Sequence, residues 1–316
     1  MMIPSDTIFG VFLISELCTG VLGNSLLFIL YAYNFLVKPH LKKHIDPIVT
    51  HLLFVNILTI LFTMIPDVAS TLGVRQFLDD IGCQTVLFSY RVTRGVTICT
   101  TSHLSAFQAI TVSPSNSNWA CLKFKFPSCM YPLLLIFWVI NMLIYIHTIE
   151  TVTARSNFTL VGRGYVHAYC QTRQFGNRNK GTFISLILIH DLVFVLLMVC
   201  TSLYMVSLLY RHCRRAQHIH STRISSQSSP EHKATCTILL LVGCFVFLYF
   251  SHNCFTLYSF YASHKIPRLE GLSGALSSFY PTICPFLLMR NNKIMSQFNS
   301  FFSMMRVRGS QRAFDD

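Results

Sequence analysis

The chain has 316 residues, of which 52% are hydrophobic and 12% charged, and its mean hydropathy is +0.50. A soluble domain is usually about one-quarter charged, so this composition excludes an ordinary water-soluble fold and predicts an all-α integral membrane domain. The formal net charge of +13 collects beside apolar runs, which makes it a topology and anionic-lipid signal and excludes a nucleic-acid footprint.

Seven runs reach the length of about 20 residues that a bilayer crossing needs. They are Ile8–Tyr33, Ile48–Leu72, Thr85–Thr111, Pro127–His147, Thr182–Tyr210, Ala234–Tyr261 and Leu269–Met289. No repeat, low-complexity block or linker divides them, so a single seven-helix domain is expected over residues 1–316, with a cytoplasmic tail at 290–316.

Before the first span ends, the only charges are Asp6 and Glu16; Lys38, Lys42 and Lys43 follow at once. The positive-inside rule then puts the N-terminus outside and, after seven crossings, the C-terminus inside. No basic n-region precedes the first span, so no cleavable signal is expected. Gly20, Gly23 and Asn24 lie within it, and Asn24 needs a hydrogen-bond partner from another helix. The second span offers Asn56, then a kink at Pro66, with Asp67 just beyond.

The third span organises the rest. From Cys83 the chain runs about 30 residues without proline and stops at Ser113-Pro114. Arg91, Thr93, Arg94, Thr97, Thr100, Thr101, Ser102, His103 and Gln108 all fall inside it. A helix carrying that much polarity across lipid must hide it among other helices, so this one belongs at the bundle centre. Arg91 and Arg94 share a face at i, i+3, roughly 12 and 16 Å below Cys83. They either pair with Asp67, Asp191, Glu16 or Glu270, or wall a polar outward-facing pocket, and the two roles are compatible. In the same outer half lie Asp191 on the fifth span, Asn253 on the sixth and Glu270 at the start of the seventh. Arg91, Arg94, Asp191, Asn253 and Glu270 are therefore the candidate ligand-pocket residues.

Between the fourth and fifth spans Asn157-Phe158-Thr159 forms a glycosylation sequon. Of twelve cysteines, only Cys83 and Cys170 fall at the oxidising face. A bridge between them would tie the second outer loop to the central helix; the alternative is two unpaired thiols. The inner stretch Arg211–Lys233 is basic and Ser-rich. His218 and His220 lack further ligands at metal-binding spacing, so no metal and no cofactor are expected. Pro281 and Pro285 bend the last span near its inner end.

Several motifs together resemble the vomeronasal type-1 receptor family. They include His51-Leu52 to Asn56, Arg94-Gly95 to Thr101, Phe107-Gln108-Ala109-Ile110-Thr111-Val112-Ser113-Pro114 and His190-Asp191-Leu192. Tyr210-Arg211-His212, Gln217 to His220, Ser229-Pro230-Glu231, Lys233-Ala234-Thr235 and Tyr280 to Phe286 complete the set. The resemblance implies a pheromone receptor in the plasma membrane of sensory neurons, sensing small molecules outside and coupling to an inhibitory-class G protein inside. It also implies the Cys83–Cys170 bridge and a glycan on Asn157, and sets Arg211, Arg214, Arg215 and Lys233 toward the G protein. Ser102-His103 departs from the family's usual Cys-Leu, and the charged triplet and Asn-Pro-x-x-Tyr of rhodopsin-like receptors are missing. A bitter-taste-type or other seven-helix chemoreceptor is the alternative. An enzyme is not expected, because no nucleophile, acid or base constellation converges at depth, and a transporter should show paired broken helices and a repeat.

Overall fold

The computed structural model describes residues 4–37, 44–74, 78–114, 120–154, 170–172, 177–219, 230–261 and 267–290. Its elements run α1 (Pro4–Val37), α2 (Asp46–Thr71), α3 (Asp80–Val112), α4 (Ala120–Tyr145), the short α5 (His147–Thr151), β1 (Val152–Ala154), β2 (Cys170–Thr172), α6 (Asn177–Ile219), α7 (Pro230–Tyr261) and α8 (Pro267–Met289). Most long helices outrun the apolar windows read from the sequence, α6 by nine residues at its far end (Tyr210 against Ile219). Hydrogen bonding continues the helical ladder into polar sequence, where hydropathy no longer marks it.

Helix ends follow local chemistry. Pro47 opens α2 in its first turn, where its missing N–H costs nothing. Gly73 closes α2 at φ +82°, with Val74 N–H reaching Ala69 O at 3.1 Å, the 6→1 bond of a Schellman cap. Asp79 caps α3, its Oδ1 accepting from Gly82 N–H at 2.7 Å. Pro114 follows Ser113, which has left helical geometry at ψ 142°.

Six of the described helices are long and apolar enough to cross a membrane: those holding Ile8–Val37, Asp46–Thr71, Cys129–Glu150, Leu186–Arg211, Thr235–Phe255 and Leu272–Met289. Their outward faces carry Ile8, Leu135, Leu143, Leu188, Leu203, Phe247 and Phe250, all exposed. Outside a membrane that belt would be an aggregation surface; in lipid it is the solvated face.

α3 has the length, at 33 residues, but not the apolarity. Every residue from Gly95 to Ser105 is buried, three turns enclosed on all sides. Burial all round is the mark of a central helix, and its polar groups bond to neighbours in every direction. Thr100 Oγ1 meets His51 of α2 at 3.2 Å, and Thr101 Oγ1 meets Tyr280 of α8 at 3.2 Å. Ser105 meets Thr201 of α6 at 2.7 Å, and Ser113 meets Tyr204 at 2.9 Å. α4 comes closest at Gly95, where a Cβ would collide with Asn141 Oδ1.

The α1–α2–α8 seam uses the asparagines. Asn24 Nδ2 donates to Pro281 O at 2.9 Å, and Asn56 Nδ2 reaches Asn24 Oδ1 at 3.4 Å. Pro285 explains the first bond. It has no N–H, so the Pro281 carbonyl four residues earlier loses its helical donor, and Asn24 replaces it.

Candidate ligand site

One end of the bundle is closed by a two-stranded antiparallel hairpin. Ala154 of β1 pairs with Cys170 of β2, and Cys170 is bonded to Cys83 in the first turn of α3, with the Cα atoms 5.8 Å apart. Two further ties hold the hairpin: Gln84 Nε2 donates to Val152 O at 3.2 Å, and Asp80 Oδ1 accepts from Ala154 N–H at 2.6 Å. Beneath it pack Leu87 and Tyr90, and the Tyr90 hydroxyl bonds Ser277 Oγ of α8 at 2.6 Å. The hairpin is thus fixed on the first turns of α3.

One turn below Tyr90 lies Arg94. Its guanidinium carbon sits 5.3 Å from the ring centroid of Tyr249 on α7, a cation–π contact. The Tyr249 hydroxyl donates to Asp191 Oδ2 at 2.7 Å, and Asp191 Oδ1 faces His190 Nδ1 at 3.0 Å. Arg94 and Asp191 therefore make no direct bridge; the phenol of Tyr249 stands between them, its face to the cation and its hydroxyl to the anion. Asp191 and Glu150 each lie within 4.0 Å of a histidine ring nitrogen, those of His190 and His147.

Arg94 Nη2 is buried and has no hydrogen-bond partner. It borders a cavity lined also by Thr97, Phe245, Tyr249, His252, Ser277 and Tyr280, about 30 Å³ in size. That is room for one or two waters, whereas organic ligands occupy pockets of about 300–1,000 Å³. Admitting such a ligand therefore requires α7 or α8 side chains to move. Chemically the site offers a guanidinium donor, hydroxyls and an aromatic wall in one concavity.

The sequence-derived residues divide as follows. Arg94 and Asp191 converge through Tyr249, and Asn253 touches the same residue, donating to Tyr249 O at 2.9 Å. Arg91 points elsewhere, its Nη1 donating to Thr148 Oγ1 of α5 at 3.1 Å. Glu270 is on the first turn of α8, with its side chain outside the described residues. Arg211 is exposed on α6; Arg214, Arg215 and Lys233 are helical, with side chains likewise outside, and Asn157 is outside altogether. Tyr249 was missed because an aromatic in a greasy span gives no sequence signal; its place one helical turn before Asn253 was the available clue.

The sequence model of the vomeronasal organ pheromone receptor family matches residues 7–301. The chain belongs to this family. Vomeronasal type-1 receptor 4 of Homo sapiens is 35% identical over 88% of the chain and 92% of that protein. Vomeronasal type-1 receptor 90 of Rattus norvegicus is 33% identical, over 90% of the chain and 91% of its own length. Olfactory receptor class A-like protein 1 of Danio rerio is 29% identical over 91% and 90%. As a member of the vomeronasal family, the chain is accordingly a multi-pass membrane receptor of chemosensory type, with a ligand and a G protein as its general partners.

Proposed function

We propose that this receptor crosses the membrane seven times, with α3 added to the six apolar crossings, the N-terminus and hairpin outside and Arg211–Lys233 inside. It detects a small-molecule pheromone in the outer half and activates an inhibitory-class G protein through the basic inner ends of α6 and α7, with Arg211, Arg214, Arg215 and Lys233 in contact. Asn157 carries a glycan in this orientation. The family supports a receptor, and the lysines after α1 support the orientation.

Arg94 carries the ligand-site assignment. A buried guanidinium nitrogen without a protein partner, bordering a cavity, is costly unless something else fills that role. Arg94 and Asp191 form the polar core of the site, with Asn253 and Glu270 around it, while Arg91, bonded to Thr148, stands outside it.

The test is Asp191→Asn, scored for surface level and dose-response separately. The amide keeps an acceptor for Tyr249 but removes the charge across from Arg94, so the receptor should reach the surface with potency shifted by about ten- to hundredfold, the equivalent of one charged hydrogen bond. Normal potency at normal surface level removes Asp191 from the site. Loss of both together marks it as structural only, since stranding a buried charge costs about 3–5 kcal/mol.

A further inference from the structure

Asp191 turns one oxygen toward Tyr249; the other belongs to a second polar group, where α3, α4 and α6 meet. His190 Nδ1 lies 3.0 Å from Asp191 Oδ1, and its Nε2 lies 3.7 Å from Cys99 Sγ on α3. Asn141 of α4 donates its Nδ2 to the same sulfur at 3.6 Å. Cys99, Asn141 and Asp191 are all buried. Leu134, Phe137 and Phe194 pack around the thiol, and the Phe194 ring centroid is 5.0 Å from that of His190. Sequence spacing does not announce this group, because Cys99 and His190 are 91 residues apart.

The carboxylate decides the tautomer of the imidazole. An ionised Asp191 only accepts, so the ring proton sits on Nδ1 and the Nε2 lone pair faces the sulfur. A carboxylate that holds a histidine from behind is the usual support of a metal-ligating imidazole, and a thiolate is the companion donor that favours soft ions. The spacing fits one ion. With bonds of about 2.3 Å to sulfur and about 2.0 Å to nitrogen, donors 3.7 Å apart open an angle of roughly 120° at the metal.

Donor number and charge select the ion. Among the described residues no group of three or more His, Cys, Asp or Glu is placed to hold a metal, whereas structural zinc and calcium sites take four or more ligands. Two donors suffice for a soft, closed-shell monovalent ion. Such an ion takes the place of the Cys99 thiol proton and leaves the net charge of the site unchanged. A divalent ion would add a positive charge inside a membrane span, which is costly. We infer that Cys99 and His190 form a binding site for a soft monovalent ion of the copper(I) class, with Asp191 as its positioning residue. On binding, the sulfur–hydrogen bond of Cys99 breaks, a sulfur–copper and a nitrogen–copper bond form, and one proton leaves to water. Copper keeps its oxidation state throughout. Asp191 then serves two neighbouring sites, and the metal site does not rest on the pheromone reading.

The probe is copper(I) alone, titrated without oxygen into purified full-length receptor in detergent micelles against a competing chelator. At one equivalent, X-ray absorption should show a sulfur neighbour and an imidazole nitrogen neighbour on the same copper. Asp191→Asn should weaken binding by about ten- to hundredfold, the usual effect of losing an outer-shell partner. Cys99→Ser keeps a hydroxyl for His190 but removes the soft donor, so it should weaken binding further. Cys284→Ser, at an equally buried thiol, should leave the affinity unchanged. A copper shell without nitrogen overturns the inference, and wild type alone gives that answer should Cys99→Ser fail to fold. So does equal affinity in wild type and Cys99→Ser, or displacement of copper by zinc at equal concentration. All of these are read without ligand or G protein, so they stand or fall apart from the proposed pheromone response.

Discussion

Asn24 does in this receptor what a backbone amide does elsewhere in a helix, and that substitution can be reversed. Its side chain donates to Pro281 O, the carbonyl that Pro285 cannot reach for want of an N–H. Asn24→Ala strands this carbonyl at a fully buried position. A buried unsatisfied group costs about 1–3 kcal/mol, and interhelical bonds in membranes average about 0.6 with a ceiling near 1.7, so a loss of about 1–1.5 kcal/mol is expected. Pro285→Ala restores a backbone donor at the correct i→i−4 position. The double variant Asn24→Ala/Pro285→Ala should therefore be more stable than Asn24→Ala alone, recovering about 1 kcal/mol. Equilibrium unfolding of the purified receptor in mixed micelles measures all four corners of the cycle. Additive losses, within about 0.5 kcal/mol, would refute the replacement of one donor by the other.

Other consequences follow from single contacts. Gly95→Ala drives a methyl into Asn141 Oδ1, between buried positions of α3 and α4; overpacking of this kind costs about 1–3 kcal/mol, and a lower melting temperature of the purified protein should show it. Cys170→Ser frees the hairpin from its bond to α3, and removing such a bridge from small secreted domains costs about 2–5 kcal/mol, so surface staining should fall sharply. Tyr249→Phe keeps a ring beneath Arg94 but drops the hydroxyl that Asp191 accepts; it should cost about 1.5–3 kcal/mol in the wild type and clearly less in Asp191→Asn, a difference that the same unfolding assay reads. An epitope at residue 1 should stain intact cells; staining only after permeabilisation would invert the orientation.

Much of this architecture was legible because lipid enforces a simple code. Length and apolarity marked the spans, and the polarity of α3 marked it as central: a run such as Thr97, Thr100, Thr101, Ser105 is tolerable in a membrane only when enclosed. Asn24 and Asn56 were legible for the same reason, and they meet. The hairpin and α5 were not, since three-residue strands carry no periodicity. The site was half legible. Charge picked out Arg94 and Asp191, but the residue that joins them is Tyr249, and nothing in a run of Phe, Leu and Tyr says which aromatic faces inward. Arg91 shows the limit of spacing: it is three residues from Arg94, yet its long side chain turns to Thr148, because reach and local acceptors decide where a guanidinium goes.

The most direct test of the central claim is the G-protein response of cells expressing this receptor to fractionated odorous secretions. Wild type should lower cAMP on exposure to an active fraction, and a toxin that inactivates inhibitory-class α subunits should block the response. Asp191→Asn, at equal surface level, should need about ten- to hundredfold more of the same fraction. A response that survives the toxin, or that is identical in wild type and Asp191→Asn, would contradict the account.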